Sequence, residues 1–447
     1  MILLCLSLIP YGLYWSYDIP GAIQDNLTRW FGGPTKYTEA DHLMMYSVYS
    51  YPNLLTPLFV GYFIDKVGVR YGAIITAGLI LSGQVLYSLG VQFLQYWLCI
   101  IGRILIGLGG EGLFVTQGKF ATRWFPGDKL SFLFGIVIAG SRLGTALNFV
   151  AMPALARVSV PLAVWMGSVV CGVSFVCSGV AYWVDLRGEK LEIVGPYEYH
   201  QTSLKKILLS MKDLIHLPKI AWLVIFETAS FYACFITFLA VGSYIFQHTG
   251  QFHSEASASL FISIPNFLSI ILPPLFGKLI DLKGFTSLWV SLSNLLQSLS
   301  MGLLLCYALG MDTALCSPWV VVSISGIAYS MFVSATWPMI AFIVEEDKVG
   351  RAFGAAVILE NLGYIIIPAI IGHFQTNLPE PSKYYVTVDI LLGVSTFSFL
   401  LSIIALITDQ ANGGKLNSDG KTKHLLKESL KTKISQTDTE KLIDFKK

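Results

Sequence analysis

The sequence has little charge for its length. Only 13% of its 447 residues are Asp, Glu, Lys or Arg, whereas 54% are hydrophobic, and the mean hydropathy is +0.64. A soluble domain typically carries about 25% charged residues, so the composition excludes an ordinary soluble protein and indicates a membrane protein. The net charge of +2 excludes a strongly basic nucleic-acid-binding protein.

Cysteine is also scarce. Six of the seven cysteines fall in apolar runs, Cys316 lies in a predicted loop, and none has the C-x-x-C spacing. We interpret them as small core residues and expect neither a disulfide framework nor a metal ion. No nucleophile, metal or cofactor motif stands out, so we expect that the protein is not an enzyme and that it binds no cofactor.

Long apolar windows account for most of the chain. A membrane-spanning helix needs about 20 mainly apolar residues, and twelve windows satisfy that length. They are 1–23, 42–64, 71–93, 96–117, 130–152, 160–184, 220–246, 258–280, 285–309, 318–344, 352–374 and 385–407. The predicted fold is therefore an all-α polytopic membrane protein with twelve transmembrane helices.

The basic residues predict the orientation. Of the 30 Lys and Arg, 24 fall in the even-numbered connections or the tail, 4 in the odd-numbered connections, and 2 inside helices. Positive loops stay cytoplasmic, so we expect both termini in the cytosol.

One long polar connection divides the twelve windows six and six. We predict an N-terminal half over 1–184, a cytoplasmic linker over 185–219, a C-terminal half over 220–408 and a disordered tail over 409–447. A G-x-x-x-D-x-x-G pattern begins at Gly61 and again at Gly277, each time at the junction after the second helix of a half. Two copies in the same register indicate a duplicated six-helix unit.

This architecture and its loop motif resemble the major facilitator superfamily. The loop pattern is matched at Gly61, Asp65, Lys66, Gly68 and Arg70, and a helix-four pattern at Arg103, Gly107, Gly109 and Gly110. The resemblance implies two pseudosymmetric halves that rock about a central site. It also implies a gating role for Gly61, Asp65 and Arg70, which would clamp the halves on the cytoplasmic side, and for Asp281 by pseudosymmetry.

Further stretches resemble one branch of that superfamily, the lysosomal dipeptide exporters. They are 17–20, 49–53, 109–111, 121–125, 337–339 and 360–363. The resemblance implies a lysosomal carrier of dipeptides that works beside a heavily glycosylated accessory subunit with one membrane span. Relatives begin with a cytosolic leader that carries a dileucine sorting signal, whereas this chain begins inside the first predicted helix.

Two charges lie deep inside predicted helices. Ionisable groups there cost several kcal/mol and usually face a partner or a water-filled space. At about 1.5 Å per residue, Glu111 lies about 9 Å and Arg142 about 18 Å from the cytoplasmic ends of their helices. That separation suits a zwitterion whose ammonium meets Glu111 and whose carboxylate meets Arg142. The alternative is a structural ion pair between the two.

Neighbouring polar residues predict an inward-facing cavity. Tyr14, Tyr17 and Asp18 share one arc of the first helix, and Asn148 shares an arc of the fifth with Arg142. Lipid would reject such faces, so they should point inward. The predicted substrate-binding set is completed by Tyr49 and by Trp337, which could instead set packing at a kink; the whole set is Glu111, Arg142, Tyr14, Tyr17, Tyr49, Asn148 and Trp337.

Other buried charges leave alternatives open. Arg103 could bind a substrate carboxylate, or it could pair with Asp18 or Asp389 in a structural role. Glu227 and Glu360 could carry a proton if transport is coupled to pH, or they could be structural.

Two short motifs concern sorting and modification. The tail segment from Asp438 to Leu442 and Ile443 fits an acidic dileucine sorting signal. Asn26-Leu27-Thr28 is the one N-x-[ST] sequon of the chain and lies close to the first helix.

The leading hypothesis is a dipeptide carrier, with downhill uniport favoured over proton coupling. A second hypothesis is a peptide or amino-acid sensor or scaffold that does not transport. A third is a carrier of another organic anion that uses Arg103 and Arg142 together.

Overall fold

The computed structural model describes residues 2–124, 130–192, 194, 217–249, 254–311, 314–344, 348–411 and 413–417. No strand occurs in these residues, and 10 helices among them are long and apolar enough to cross a membrane. The all-α polytopic membrane architecture predicted from the sequence is therefore confirmed.

Nine α-helices form the N-terminal half within the described residues. They are α1 (Ile2–Leu8), α2 (Tyr11–Ala22), α3 (Gln24–Trp30), α4 (Glu39–Ser50), α5 (Thr56–Val67), α6 (Val69–Gln92), α7 (Tyr96–Trp124), α8 (Leu130–Val158) and α9 (Val160–Lys190).

Six further helices form the C-terminal half over the part that is described. They are α10 (Lys219–Thr249), α11 (Glu255–Lys283), α12 (Thr286–Ala308), α13 (Pro318–Ile343), α14 (Val349–Asn377) and α15 (Ser382–Ala411). Residues 185–190, which we assigned to the linker, continue α9, and residues 409–411, assigned to the tail, continue α15.

Two of the twelve predicted spans, 42–64 and 130–152, are not among these 10 helices, although their described residues are mostly helical. The window 130–152 lies in α8, a continuous helix of 29 residues that carries Arg142. The window 42–64 is not one helix, because α4 ends at Ser50 and α5 begins at Thr56, with a 3₁₀ turn over Pro52–Leu54 between them.

Proline explains this break. Pro52 and Pro57 have no backbone N–H and cannot continue an α-helical hydrogen-bond ladder. Polar side chains take over part of the ladder: the Thr56 hydroxyl donates to the Pro52 carbonyl at 2.8 Å, and the Asn53 amide donates to the Tyr49 carbonyl at 3.4 Å. The second span is therefore a jointed element rather than a rod.

The two copies of the sequence repeat end their helices in the same way. Gly68 follows α5 with φ of 92°, and Gly284 follows α11 with φ of 73°. Each donates its N–H to the carbonyl four residues earlier, at 2.8 Å in both cases. A positive φ favours glycine, so the glycine that closes each copy is a matched helix cap.

Successive membrane-spanning helices run in opposite directions, so their ends lie at two faces of the molecule. We call the face at which α1 begins and α15 ends the terminal face, and the other the opposite face. The halves meet along α8 and α11, α4 and α14, and α2 and α10. Several hydrogen bonds join them at the opposite face, among them Ser259 to the Ala22 carbonyl at 2.9 Å and the Ala40 N–H to the Thr376 hydroxyl at 3.0 Å.

Candidate functional site

Arg142 lies in the middle of α8 and reaches from the N-terminal half to the C-terminal half. Its guanidinium donates a hydrogen bond to the Tyr329 hydroxyl on α13. Its Cζ lies 4.5 Å from the centre of the Tyr329 ring and 5.2 Å from that of Tyr14. Phe235 stacks on Tyr329 at 4.2 Å and fixes the ring. The buried Nε has no hydrogen-bond partner among the described residues, so a donor remains for a ligand carboxylate.

Glu111 lies on α7 and is partly exposed at the centre of the molecule. The Asn361 side chain, on α14 of the other half, lies beside its carboxylate. A Cβ at Gly110 would lie 2.5 Å from the Tyr49 hydroxyl, so glycine there admits the tyrosine next to Glu111. Tyr17 packs edge-on against Tyr49 with ring centres 4.7 Å apart.

Arg142 and Glu111 do not neutralise each other. Across the described ranges, no ion pair joins these two side chains. The structural ion pair that we considered as an alternative is therefore not formed. Two opposite charges, each held by a polar residue of the other half, face the same central region and are available to a zwitterion.

Trp337 and Asn148 occupy different environments. Trp337 is partly buried and donates its indole N–H to the Tyr232 hydroxyl at 3.1 Å. Tyr232 in turn packs edge-on against Tyr329 at 6.1 Å, which connects Trp337 to the aromatic wall around Arg142. Asn148 is fully buried and donates to the Trp15 carbonyl at 2.9 Å, so it joins α8 to α2, and its Oδ1 has no partner among the described residues.

Arg103 is a structural residue in this conformation. Its Nε donates to the Met45 carbonyl, and its two terminal nitrogens donate to the Ser16 and Tyr17 carbonyls, at 3.0, 3.0 and 3.1 Å. Pro20 has no N–H for the Ser16 carbonyl, so Arg103 satisfies an acceptor that the proline leaves free. The side chain is fully buried and ties α2, α4 and α7 together.

Arg103 pairs with neither Asp18 nor Asp389, the two partners that we considered for a structural role, in the described part of the chain. Asp389 is exposed on α15, and Asp18 makes no ion pair within the described part of the chain. Asp18 is buried on α2 within electrostatic reach of both Arg103 and Arg142. The backbone carbonyls outcompete it because they already surround the planar guanidinium fork.

Glu360 and Glu227, the two buried carboxylates considered as proton carriers, occupy different parts of the structure. Glu360 on α14 is buried, acts electrostatically on Tyr232, and lies within electrostatic reach of Glu111. Glu227 on α10 is fully buried and accepts a hydrogen bond from the Asn294 amide on α12 at 2.6 Å. Glu227 thus belongs to the packing of the C-terminal half, and Glu360 to the central region.

Of the predicted gating residues, the three that are described, Gly61, Arg70 and Asp281, show no bond to the other half within the described part of the chain. Arg70 pairs with Asp185 at 2.6 Å and with Glu189, both on α9 of its own half. A Cβ at Gly61 would meet nothing within 4 Å, and Asp281 is exposed. The Asp65 side chain lies outside the described residues.

Sequence reasoning missed the partners that the C-terminal half supplies. Tyr329 and Asn361 touch the two charges, yet a lone tyrosine in an apolar window gives no signal. Asn361 does follow Glu360 in a stretch that the resemblance marked.

The sorting residues Asp438, Leu442 and Ile443 lie outside the described residues. No group of His, Cys, Asp and Glu able to hold a metal occurs among the residues described.

The fold and this central region define an α-helical membrane transporter built from two halves. A family model described as the Major Facilitator Superfamily matches residues 31–368 and 241–436. The chain belongs to the Major Facilitator Superfamily, and it is a transporter rather than an enzyme.

Curated relatives align over nearly the whole chain. The human protein "Lysosomal dipeptide transporter MFSD1" is 29% identical over 440 residues, which cover 96% of this chain and 90% of the relative. The zebrafish (Danio rerio) protein of the same name is 25% identical over 95% of this chain and 90% of the relative.

Solved structures share the fold at low identity. The crystal structure of peptide transporter POT in complex with sulfate gives a TM-score of 0.70 at 16% identity, over 93% of this chain and 96% of that chain. The in meso crystal structure of the POT family transporter PepTSo gives 0.66 at 13% identity, over 91% and 98%.

Proposed function

We propose that this protein carries dipeptides from the lysosomal lumen to the cytosol by uniport. The observation that supports this most directly is the pair of unneutralised charges, Glu111 and Arg142, on neighbouring helices. A zwitterion can satisfy both at once through charge-assisted hydrogen bonds. The observed helix bounds correct the depths expected from the sequence: Glu111 lies 13 residues before the end of α7 and Arg142 lies 12 residues after the start of α8. The two charges therefore lie at similar depth, about 18 to 20 Å from the terminal-face ends of their helices.

The relatives support the same substrate class. The human and zebrafish relatives bear the name of a lysosomal dipeptide transporter. Glu111, Arg142 and the aromatic residues around them offer contacts to the charged ends and the apolar body of a peptide. Recognition of the termini alone would tolerate many side chains.

The direction rests on charge and conformation. Because 24 of the 30 Lys and Arg fall in the even-numbered connections or the tail of the sequence, and the described helices that flank those connections end at the terminal face, we assign that face to the cytosol. The opposite face, where the halves are joined, would then be lumenal. This conformation would be the one that releases cargo to the cytosol.

Uniport is favoured by what the carboxylates already do. Glu227 is held by Asn294 away from the central region, and Glu111 is assigned to the substrate ammonium. Glu360, which is buried in the central region and whose Oε1 has no partner among the described residues, is then the carboxylate that would carry a proton if transport proves to follow a pH gradient. Lysosomal residence and a glycosylated accessory subunit are further proposals that rest on the resemblance; co-purification from cells tests the second.

The test is counterflow of a neutral dipeptide in proteoliposomes containing the pure protein. We expect Glu111→Gln and Arg142→Lys each to reduce uptake about 10- to 100-fold, because a hydrogen bond to a charged group is worth about 1.5–3 kcal/mol. Arg157→Gln, an exposed change on the same helix as Arg142, is the control and should transport normally. Normal transport by both site variants would exclude the proposed site.

Two further arms separate the alternatives. Uptake that follows an imposed pH gradient would replace uniport by proton coupling. Ligand-induced thermal stabilisation without exchange across the membrane would favour a sensor, and monocarboxylate binding that survives Glu111→Gln would favour a carrier of another anion.

A further inference from the structure

A second polar network lies at the opposite face, away from the central region. Glu255 begins α11 of the C-terminal half and is buried. One carboxylate oxygen accepts the backbone N–H of Asp25 at 2.7 Å, and the other accepts the side-chain amide of Asn26. Both residues lie on α3 of the N-terminal half. A single carboxylate therefore holds one half to the other through two donors.

Lys383 makes a second connection at the same face. It begins α15 and is buried, and its ammonium lies 3.0 Å from a carboxylate oxygen of Glu39 at the start of α4. Tyr244 on α10 donates to the same Glu39 oxygen at 3.0 Å, and Glu380 holds the ammonium from the other side at 2.9 Å. The Lys383–Glu39 pair again joins the C-terminal half to the N-terminal half.

Asn26 has a second possible role, since it is the acceptor of the sequon Asn26-Leu27-Thr28. A glycan would be attached to the same amide nitrogen that donates to Glu255. Leu27 is fully buried, and Asn26 itself is only partly exposed. Attachment would replace an N–H at a nitrogen that faces a buried carboxylate, with α11 occupying the space that the sugar needs.

We propose that Asn26–Glu255 and Glu39–Lys383 are two side-chain contacts of a gate that closes the opposite face, and that Asn26 acts there as a hydrogen-bond donor and carries no glycan. The inference rests on the proposed function in one respect: the gate must open for substrate to enter from that face. The glycan claim and the closure claim do not depend on any substrate.

The first experiment tests the glycan claim. The full chain is expressed in a glycosylating eukaryotic host as the native protein, Asn26→Leu and Thr28→Val. Thr28→Val destroys the sequon but keeps the Asn26 amide. We expect the same gel mobility for all three before and after endoglycosidase treatment. A native band that shifts on treatment, and does not shift in either variant, would overturn the claim.

The second experiment measures closure by thiol labelling. Ser259 is fully buried and donates to the Ala22 carbonyl across the seam, so Ser259→Cys should react with an aqueous maleimide only when the gate opens. Ser259→Cys is introduced into the otherwise native full chain, and this protein is purified. We expect labelling to accelerate at least threefold when Asn26→Leu or Lys383→Met is added, and not when Thr28→Val is added.

Equal labelling rates in all backgrounds would refute the gate. Glu255→Gln keeps the size of the side chain and weakens the acceptor, so it gives a milder variant if Asn26→Leu does not fold; Ser243→Cys, which also lies on the seam at the Gly21 carbonyl, is a second reporter. Labelling needs no ligand, so a carrier that labels as expected but transports no dipeptide would overturn the proposed function and leave the gate intact.

Discussion

Two arginines lie within the membrane domain, and their hydrogen bonds separate their roles. Arg103 places three of its five N–H donors on backbone carbonyls, at 3.0 to 3.1 Å, and is fully buried between α2, α4 and α7. Arg142 donates to the Tyr329 hydroxyl, also interacts with Tyr14, and keeps an unpartnered Nε. The first arginine therefore holds helices, and the second is available to a carboxylate.

Tyr329 should matter to binding although it carries no charge. Tyr329→Phe removes the hydroxyl that orients the Arg142 guanidinium but keeps the ring beneath it. We expect dipeptide affinity to fall about fivefold, the equivalent of about 1 kcal/mol for one hydrogen bond, in a thermal-shift titration. Tyr87→Phe is the matched control, because the buried Tyr87 hydroxyl has no partner among the described residues; an equal loss there would contradict the prediction.

At this scale the sequence predicted charges but not their partners. Glu111 and Arg142 stand out because a charge in an apolar window is costly. Tyr329 and Asn361 could not be found, since nothing in one sequence pairs a residue of α13 or α14 with one of α7 or α8. The partner of Arg103 could have been found in part, because Pro20 predicts a free carbonyl at Ser16.

Among the elements, the jointed second span depends on close approach by α7. A Cβ at Gly107 would lie only 2.0 Å from the Tyr49 carbonyl oxygen, next to the break between α4 and α5. Glycine at position 107 therefore allows α7 to pack directly against the backbone of the second span at Tyr49. The sequence predicted a helix here and a glycine-rich neighbour, but it did not predict the break, because hydropathy does not register Pro52.

Gly107→Ala should destabilise the folded protein. The added methyl group must displace the backbone of the second span, and such overpacking costs about 1–3 kcal/mol. The measurement is the apparent melting temperature in detergent. Gly172→Ala on α9, where a Cβ meets nothing within 4 Å, is the control and should be neutral or slightly stabilising. Equal melting temperatures for the two variants would contradict the close approach.

For the whole molecule, the halves are joined at one face by charged and polar groups. The division into halves is a prediction from the repeat and the long polar connection. The closed face was not predictable, because the cytoplasmic loop motif suggested a clamp at the other face. Arg70 instead pairs within its own half, and Asp25, Glu39, Glu255 and Lys383 carried no motif that marked them as partners.

Closure of that face should depend on pH through Asp25. Burial raises the pKa of Asp25 above its usual value, although His248, Arg29 and Lys383 oppose the shift, and Glu255 is the other carboxylate that faces it. Opening returns Asp25 to water, so the closed gate holds the proton more tightly. Its stabilising effect is complete below the ordinary Asp pKa of about 4 and is lost as pH rises through the raised pKa.

The measurement is the Ser259→Cys labelling rate from pH 7 to pH 4, divided at each pH by the rate with Asp25→Asn added. The division removes the intrinsic pH dependence of the thiol, and the ratio reports Asp25 together with the neighbours whose titration depends on it, Glu255 and His248. We expect the ratio to fall as the pH falls. A ratio that stays constant would show that Asp25 does not couple to closure.

Each of the two central charges of the N-terminal half interacts with a residue of the C-terminal half. Arg142 donates to Tyr329, and Glu111 lies beside Asn361. Ligand affinity is thereby tied to how closely the halves approach there. By linkage, a ligand that prefers the joined site favours that conformation by the same factor. The half-saturation concentrations measured from the two sides of the membrane should therefore differ, and their ratio would report how the empty carrier divides its time between its two conformations.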